Sequence, residues 1–193
     1  MKKLNLIALF SALLFMYSCD NNPNSNRQDS AEVAEERNEE RLADRDNLKE
    51  DSEFVVEAAG SSMMEIELGQ LAVQKANSQE VKNFAQKMVD DHSRANEKLK
   101  QIAQRKNIAL PNGIPNDHRK HIDDLREKSG REFDKEYMDL MVSEHKDDVS
   151  KFEDAADDLN DNEIKSFAQE TLPKLRQHRE EAEQIHERIK ERS

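Results

Sequence analysis

One glutamate and three histidines carry the chemical interest of this 193-residue chain. Glu65, His92, His145 and His178 each sit inside an apolar stripe built from steps of three and four residues. Phe54, Ala58, Ser61, Leu68 and Ala72 surround Glu65. Val81, Ala85, Met88, Ala95, Leu99 and Ile102 surround His92. Met138, Met141, Phe152, Ala156 and Leu159 surround His145. Ile164, Ala168, Leu175, Ala182, Ile185 and Ile189 surround His178. Such steps keep residues on one helix face, so all four polar residues should point inward. Three imidazoles and a carboxylate suit a single zinc, iron, manganese or copper ion. Neutral imidazole is the ligand form, so binding should weaken at acid pH. The same set equally suits a structural cluster, with the carboxylate accepting hydrogen bonds from the rings. That is the simpler reading of the spacing.

Other chemistry is harder to build. A di-iron carboxylate centre needs a Glu-x-x-His pair on each of two helices. The residues three before His92, His145 and His178 are Val89, Val142 and Leu175. Ferroxidase and di-iron oxygenase chemistry is therefore not expected. Asp91, Glu144, Asp148 and Glu181 are candidates to support the central residues. His118, His121 and His186 read as exposed, and Met63, Met64, Met88, Met138 and Met141 as core filler. There is no glycine-rich phosphate loop, and spacing yields no nucleophile–base pair. No catalytic residue emerges, and a non-enzymatic binding or stress-related module is expected.

The elements that must position these residues are helices. Four glycines, no tryptophan and 37% charged residues favour an all-helical chain. A first core helix is expected from Ser52, as its N-cap, to about Lys75, and a second from Gln79 to Lys106. Pro111, Gly113 and Pro115 mark an irregular stretch. A short helix from Asn116 to about Lys128 should follow, ended by Gly130. A third core helix runs from Glu132 to Asp158, and a fourth reaches Glu191 with a kink at Pro173. The net charge of -12 argues against nucleic acid as a partner.

Residues 1–18 read as a secretory signal, with Lys2 and Lys3 before the apolar run Leu4 to Tyr17. That run is short for a membrane span. Cys19, the only cysteine, follows Ser18 and resembles the lipidated residue of a bacterial lipoprotein box. A lipid bilayer is thus an expected partner, and the cell envelope (periplasm or outer membrane) the expected location. Residues 19–51 read as a polar tether, partly helical or disordered, because Ala31 to Glu50 lacks a core-facing stripe. Residues 52–193 form the domain.

An internal repeat organises that domain. Glu80-Val81-Lys82-Asn83-Phe84-Ala85-Gln86 matches Glu163-Ile164-Lys165-Ser166-Phe167-Ala168-Gln169. Two similar helical hairpins joined by a long crossover make a ferritin-like four-helix bundle. Glu65 and His92 lie equally far from the first turn, and His145 and His178 from the second. In an antiparallel pair, equal distance means equal height. The alignment pairs Glu65 with Asp148 and His92 with Leu175, so the two polar pairs are offset by three residues, or about 4.5 Å. A small slide between hairpins would bring all four together.

From about Ser52 to Ile189 the chain resembles the bacterial family called domain of unknown function 4142. The resemblance is carried by Phe54 to Ala59, Glu65 to Ala72, Phe84 to His92, Phe133 to Tyr137, His145, and Leu172 to His178. It implies a secreted or membrane-attached, ferritin-like helical domain. It implies no established activity.

Overall fold

The computed structural model describes residues 29–191, and among them six α-helices and one 3-10 turn. Helix α1 is Ser30–Arg41, and the 3-10 turn is Asp46–Leu48. Then come α2 (Lys49–Lys75), α3 (Gln79–Lys106), α4 (Asn116–Arg126), α5 (Gly130–Asp158) and α6 (Asn162–Glu191). The signal, Cys19 and the start of the tether lie outside the described residues. No described helix is long and apolar enough to cross a membrane.

Helices α2 and α3 form one hairpin and α5 and α6 the other. The hairpins meet along α2–α5 and α3–α6, while the connection carrying α4 packs on α2 and α5. The result is an all-helical bundle. Two apolar clusters fill it. One contains Phe54, Leu99, Phe152 and Phe167; the other contains Met64, Met88, Phe133 and Tyr137. Phe54 and Phe152 meet edge-on at 5.0 Å. On α3, α5 and α6 the central histidine lies between the two clusters along the helix, and on α2 Glu65 follows Met64, the first member of the second cluster. At Gly69, an added Cβ would fall 2.8 Å from Val89 Cγ2 and 3.0 Å from the Ala85 carbonyl. Glycine therefore lets α2 and α3 approach closely one turn beyond Glu65.

Several local expectations change. Helix α2 starts at Lys49, so Ser52 is not its cap. Ser52 Oγ instead donates to the Lys49 carbonyl inside the first turn. Helix α4 ends at Arg126, and Gly130, at φ 59°, opens α5 rather than ending α4. Helix α6 is not interrupted at Pro173, although the proline ring leaves the Gln169 carbonyl without its intrahelical donor.

Residues 30–48 also pack more firmly than their composition suggests. Ala34, Asn38, Leu42 and Leu48 are buried, and Leu42 and Leu48 join the first apolar cluster. Asn38 supplies the anchor that an apolar stripe would not reveal. Its amide donates to the Ala109 carbonyl and accepts from the Ala109 N–H. Ala109, in the irregular stretch before α4, thus has both its backbone groups satisfied by α1.

Candidate metal centre

Each central side chain comes from a different long helix: Glu65 from α2, His92 from α3, His145 from α5 and His178 from α6. All are buried. The three imidazole rings form a nearly equilateral triangle, with centroids 5.5, 5.5 and 5.4 Å apart. One nitrogen from each ring can be chosen so that all three lie within 4.8 Å of one another. The hairpin slide that the repeat left open therefore brings the rings together.

Every ring has one nitrogen engaged and one without a partner. His92 Nδ1 lies 2.9 Å from Glu65 Oε2, and His145 Nδ1 lies 2.9 Å from the Met141 carbonyl. His178 Nε2 lies 2.9 Å from Asp91 Oδ2. His92 Nε2, His145 Nε2 and His178 Nδ1 are buried with no hydrogen-bond partner. The Met141 carbonyl and the ionised Asp91 carboxylate accept only from N–H, so they fix the proton of His145 on Nδ1 and that of His178 on Nε2. His145 Nε2 and His178 Nδ1 then carry lone pairs, and at His92 the approach of Glu65 to Nδ1 favours the same tautomer through its field.

The electrostatics keep the rings neutral. Burial holds His92 and His145 below the ordinary imidazole value, despite nearby carboxylates. Burial, reinforced by the other two rings, pushes His178 down to about 3. Burial raises Glu65 to about 7, against the pull of His145, and raises Asp148 well above the carboxylate range. Burial alone would raise Asp91 as well. Hydrogen bonds with His178 and Arg94 outweigh it and hold Asp91 low, so Asp91 is the ionised acceptor behind His178.

Glu65 occupies a different place from the one its seam position suggested. Both its oxygens face the Nδ1 side of rings, Oε2 towards His92 and Oε1 3.5 Å from His145 Nδ1. Neither contact is aligned as a hydrogen bond. Glu65 thus stands behind two imidazoles, on the side away from their partnerless nitrogens.

Among the supporting candidates, Asp91 reaches across from α3 to α6 rather than serving its neighbour His92. Asp148 is buried, and the charge of Glu65 adds to burial in raising it. Glu144 acts on Glu65 only through its field, and Glu181 pairs with Lys87 away from the rings. His118 and His121 are partly buried, while His186 is buried against Asp139 rather than exposed. Sequence reasoning missed Tyr137. Its hydroxyl is fully buried without a partner, and its ring is linked through Phe84 to His145 by edge contacts of 6.4 and 6.5 Å. Its place one helical repeat before Met141 and His145 on one face was the available signal.

No curated protein matches the chain, and no solved structure matches it. Residues 33–185 match the family described as Domain of unknown function (DUF4142). That span begins inside α1 and reaches nearly to the end of α6, so it takes in the packed N-terminal helix and all four central residues. The chain belongs to the DUF4142 family.

Proposed function

We propose that this domain binds one transition-metal ion through His92 Nε2, His145 Nε2 and His178 Nδ1. One observation carries the reading: three buried ring nitrogens, one per ring, have no hydrogen-bond partner. Orphaned buried polar atoms are uncommon, and an ion is a standard cause. The Met141 carbonyl and Asp91 hold the opposite nitrogens of His145 and His178, as supporting residues do at histidine metal sites, and Glu65 lies against that of His92. Neutral imidazoles without a thiolate suit zinc, copper or iron. Metal–nitrogen bonds of about 2.0–2.1 Å require the rings to close inward from the separation seen here, by roughly an ångström. Three protein nitrogens leave a fourth position for an outside ligand.

A second reading keeps the cluster structural, within a non-enzymatic or stress-related module. Its support is the raised proton affinity of Glu65 and Asp148, which lets protons rather than metal neutralise the buried carboxylates. Metal analysis of untagged protein separates the two. The metal reading expects one equivalent of zinc, copper or iron, lost in His92→Ala and in His145→Ala. Protein that stays metal-free after challenge with all three ions leaves the structural reading.

The domain is further proposed to work at the bacterial cell envelope, tethered through a lipid on Cys19. Cys19→Ser should move the protein into soluble fractions or leave the signal uncleaved. Unchanged fractionation and processing remove the anchor.

A further inference from the structure

The repeat has a consequence beside the rings. Extending its alignment pairs Glu65 with Asp148, His92 with Leu175, His145 with Ser62 and His178 with Ala95. Leu175, Ser62 and Ala95 thus stand where the imidazole centre has its three rings. All three line one cavity of about 20 Å³. Ser62 and Ala95 are smaller than imidazole, so one repeat holds a void where the other holds rings. Glu65, Asp148, Ser61 and Asn96 also line it. Its volume suits one water-sized occupant.

We infer that this cavity is a second cation site, for one small hard divalent ion of the manganese type, held by the Glu65 and Asp148 carboxylates. Glu65 is 0% exposed, and neither of its oxygens has a hydrogen-bond partner. Among the described residues no lysine or arginine makes an ion pair with Glu65 or Asp148; the nearby Lys151 pairs with Glu57. Two buried carboxylates without a cation are costly, and one divalent ion neutralises both. The other polar lining is the Ser61, Ser62 and Thr171 hydroxyls, the Asn96 amide and the His92 ring, whose partnerless nitrogen is already assigned to the imidazole centre. Ser62 Oγ spends its proton on the His92 carbonyl and keeps its lone pairs for an ion.

The donor type and the space narrow the ion. Carboxylate, amide and hydroxyl oxygens suit magnesium, calcium or manganese rather than copper. Magnesium keeps several waters, for which the cavity has no room, and calcium takes about 6–8 oxygens. Manganese accepts the same octahedral oxygen set and gives up its waters more readily than magnesium. The site shares Glu65 with the imidazole centre, and it does not require that centre to be filled.

Manganese titration of the full chain tests this, with free Mn²⁺ followed by electron paramagnetic resonance. The His145→Ala/His178→Ala variant removes the imidazole centre and should still take up one equivalent. Asp148→Asn should weaken that uptake at least tenfold. Ala95→Val, which fills the void and leaves every carboxylate in place, should do the same with helicity and melting preserved. If the double-histidine variant fails to fold, the titration is run on protein whose imidazole centre is already loaded with zinc. Uptake unaffected by Asp148→Asn and Ala95→Val overturns the proposal, as does no uptake at all. Zinc binding without manganese binding sinks this site alone. Manganese binding without zinc binding sinks the imidazole centre alone.

Discussion

Asp51 and Asp134 hold equivalent positions in the two repeats, and each caps the turn of the other hairpin. Asp134, at the start of the second turn of α5, accepts from the N–H groups of Asn77 and Ser78, both at 2.8 Å. Asp51, in the first turn of α2, accepts from the N–H groups of Asn160 and Asp161, both at 2.9 Å. Each carboxylate thereby satisfies two N–H groups at the start of a long helix, where no intrahelical acceptor exists. It also places negative charge at the positive end of that helix. The same pair of bonds sets the height of one hairpin against the other, and so the height at which the imidazoles meet.

Asp51→Ala and Asp134→Ala should each destabilise the protein by about 1–3 kcal/mol, because each strands two N–H groups. The sites lie at opposite ends of α2, a 27-residue helix, so the double variant should be nearly additive. Denaturant melts check this. A variant at either site with unchanged midpoint would show that the turn is held by something else.

Replacing Glu65 should weaken the imidazole centre without abolishing it. Glu65 touches Nδ1 rather than the partnerless nitrogens, so Glu65→Gln should raise the zinc dissociation constant about 10–100-fold. Stoichiometry should remain at one. His145→Ala should lose the ion altogether. Competition against a zinc chelator distinguishes these outcomes. Complete loss in Glu65→Gln would make Glu65 a direct ligand.

Metal-free protein should be most stable close to neutral pH. Between about 3 and the ordinary 6.5, unfolded imidazole takes up a proton that folded His178 refuses, and His92 and His145 shift the same way. Stability from the rings therefore rises with pH across that window. Glu65 acts oppositely: from 4.5 to about 7 the folded group keeps a proton that the unfolded chain has released, and Asp148 shifts in the same sense. Three rings outweigh two carboxylates below 6.5, and above it only the carboxylates contribute. Thermal melts from about pH 4 to 8 should peak around pH 6.5, and Asp148→Asn should flatten the alkaline side. A melting point that keeps climbing through neutrality contradicts the carboxylate contribution.

Gly69→Ala should destabilise despite improving helix propensity. The propensity gain is worth about 1 kcal/mol. Against it, the new methyl would sit 3.0 Å from the Ala85 carbonyl, a backbone atom that cannot swing away. Overpacking of this kind costs about 1–3 kcal/mol. The net effect should be a lower melting temperature, while Gly113→Ala, whose nearest contact is the flexible Arg119 at 3.4 Å, should change little.

Much of this architecture was legible without coordinates. The seams around Glu65, His92, His145 and His178 announced four helices, because a 3.6-residue period puts every third or fourth side chain on one face. Equal distance from the turns paired Glu65 with His92, since antiparallel helices joined by a tight turn rise together. The repeat matched Glu65 to Asp148 before either was seen to be buried.

Other features depend on contacts between residues distant in the chain. The slide of one hairpin against the other is held by Asp51 and Asp134, whose bonds reach turns in the other repeat. The role of Glu65 behind two rings follows from which nitrogens face α2. The packing of α1 rests on Ala34 and Leu42 together with the polar anchors Asn38 and Ser30, which carry no hydrophobic period. Periodicity describes a single helix and its own faces. The meeting of side chains from four helices at one point is set by the packing of all four, and that only the tertiary structure decided.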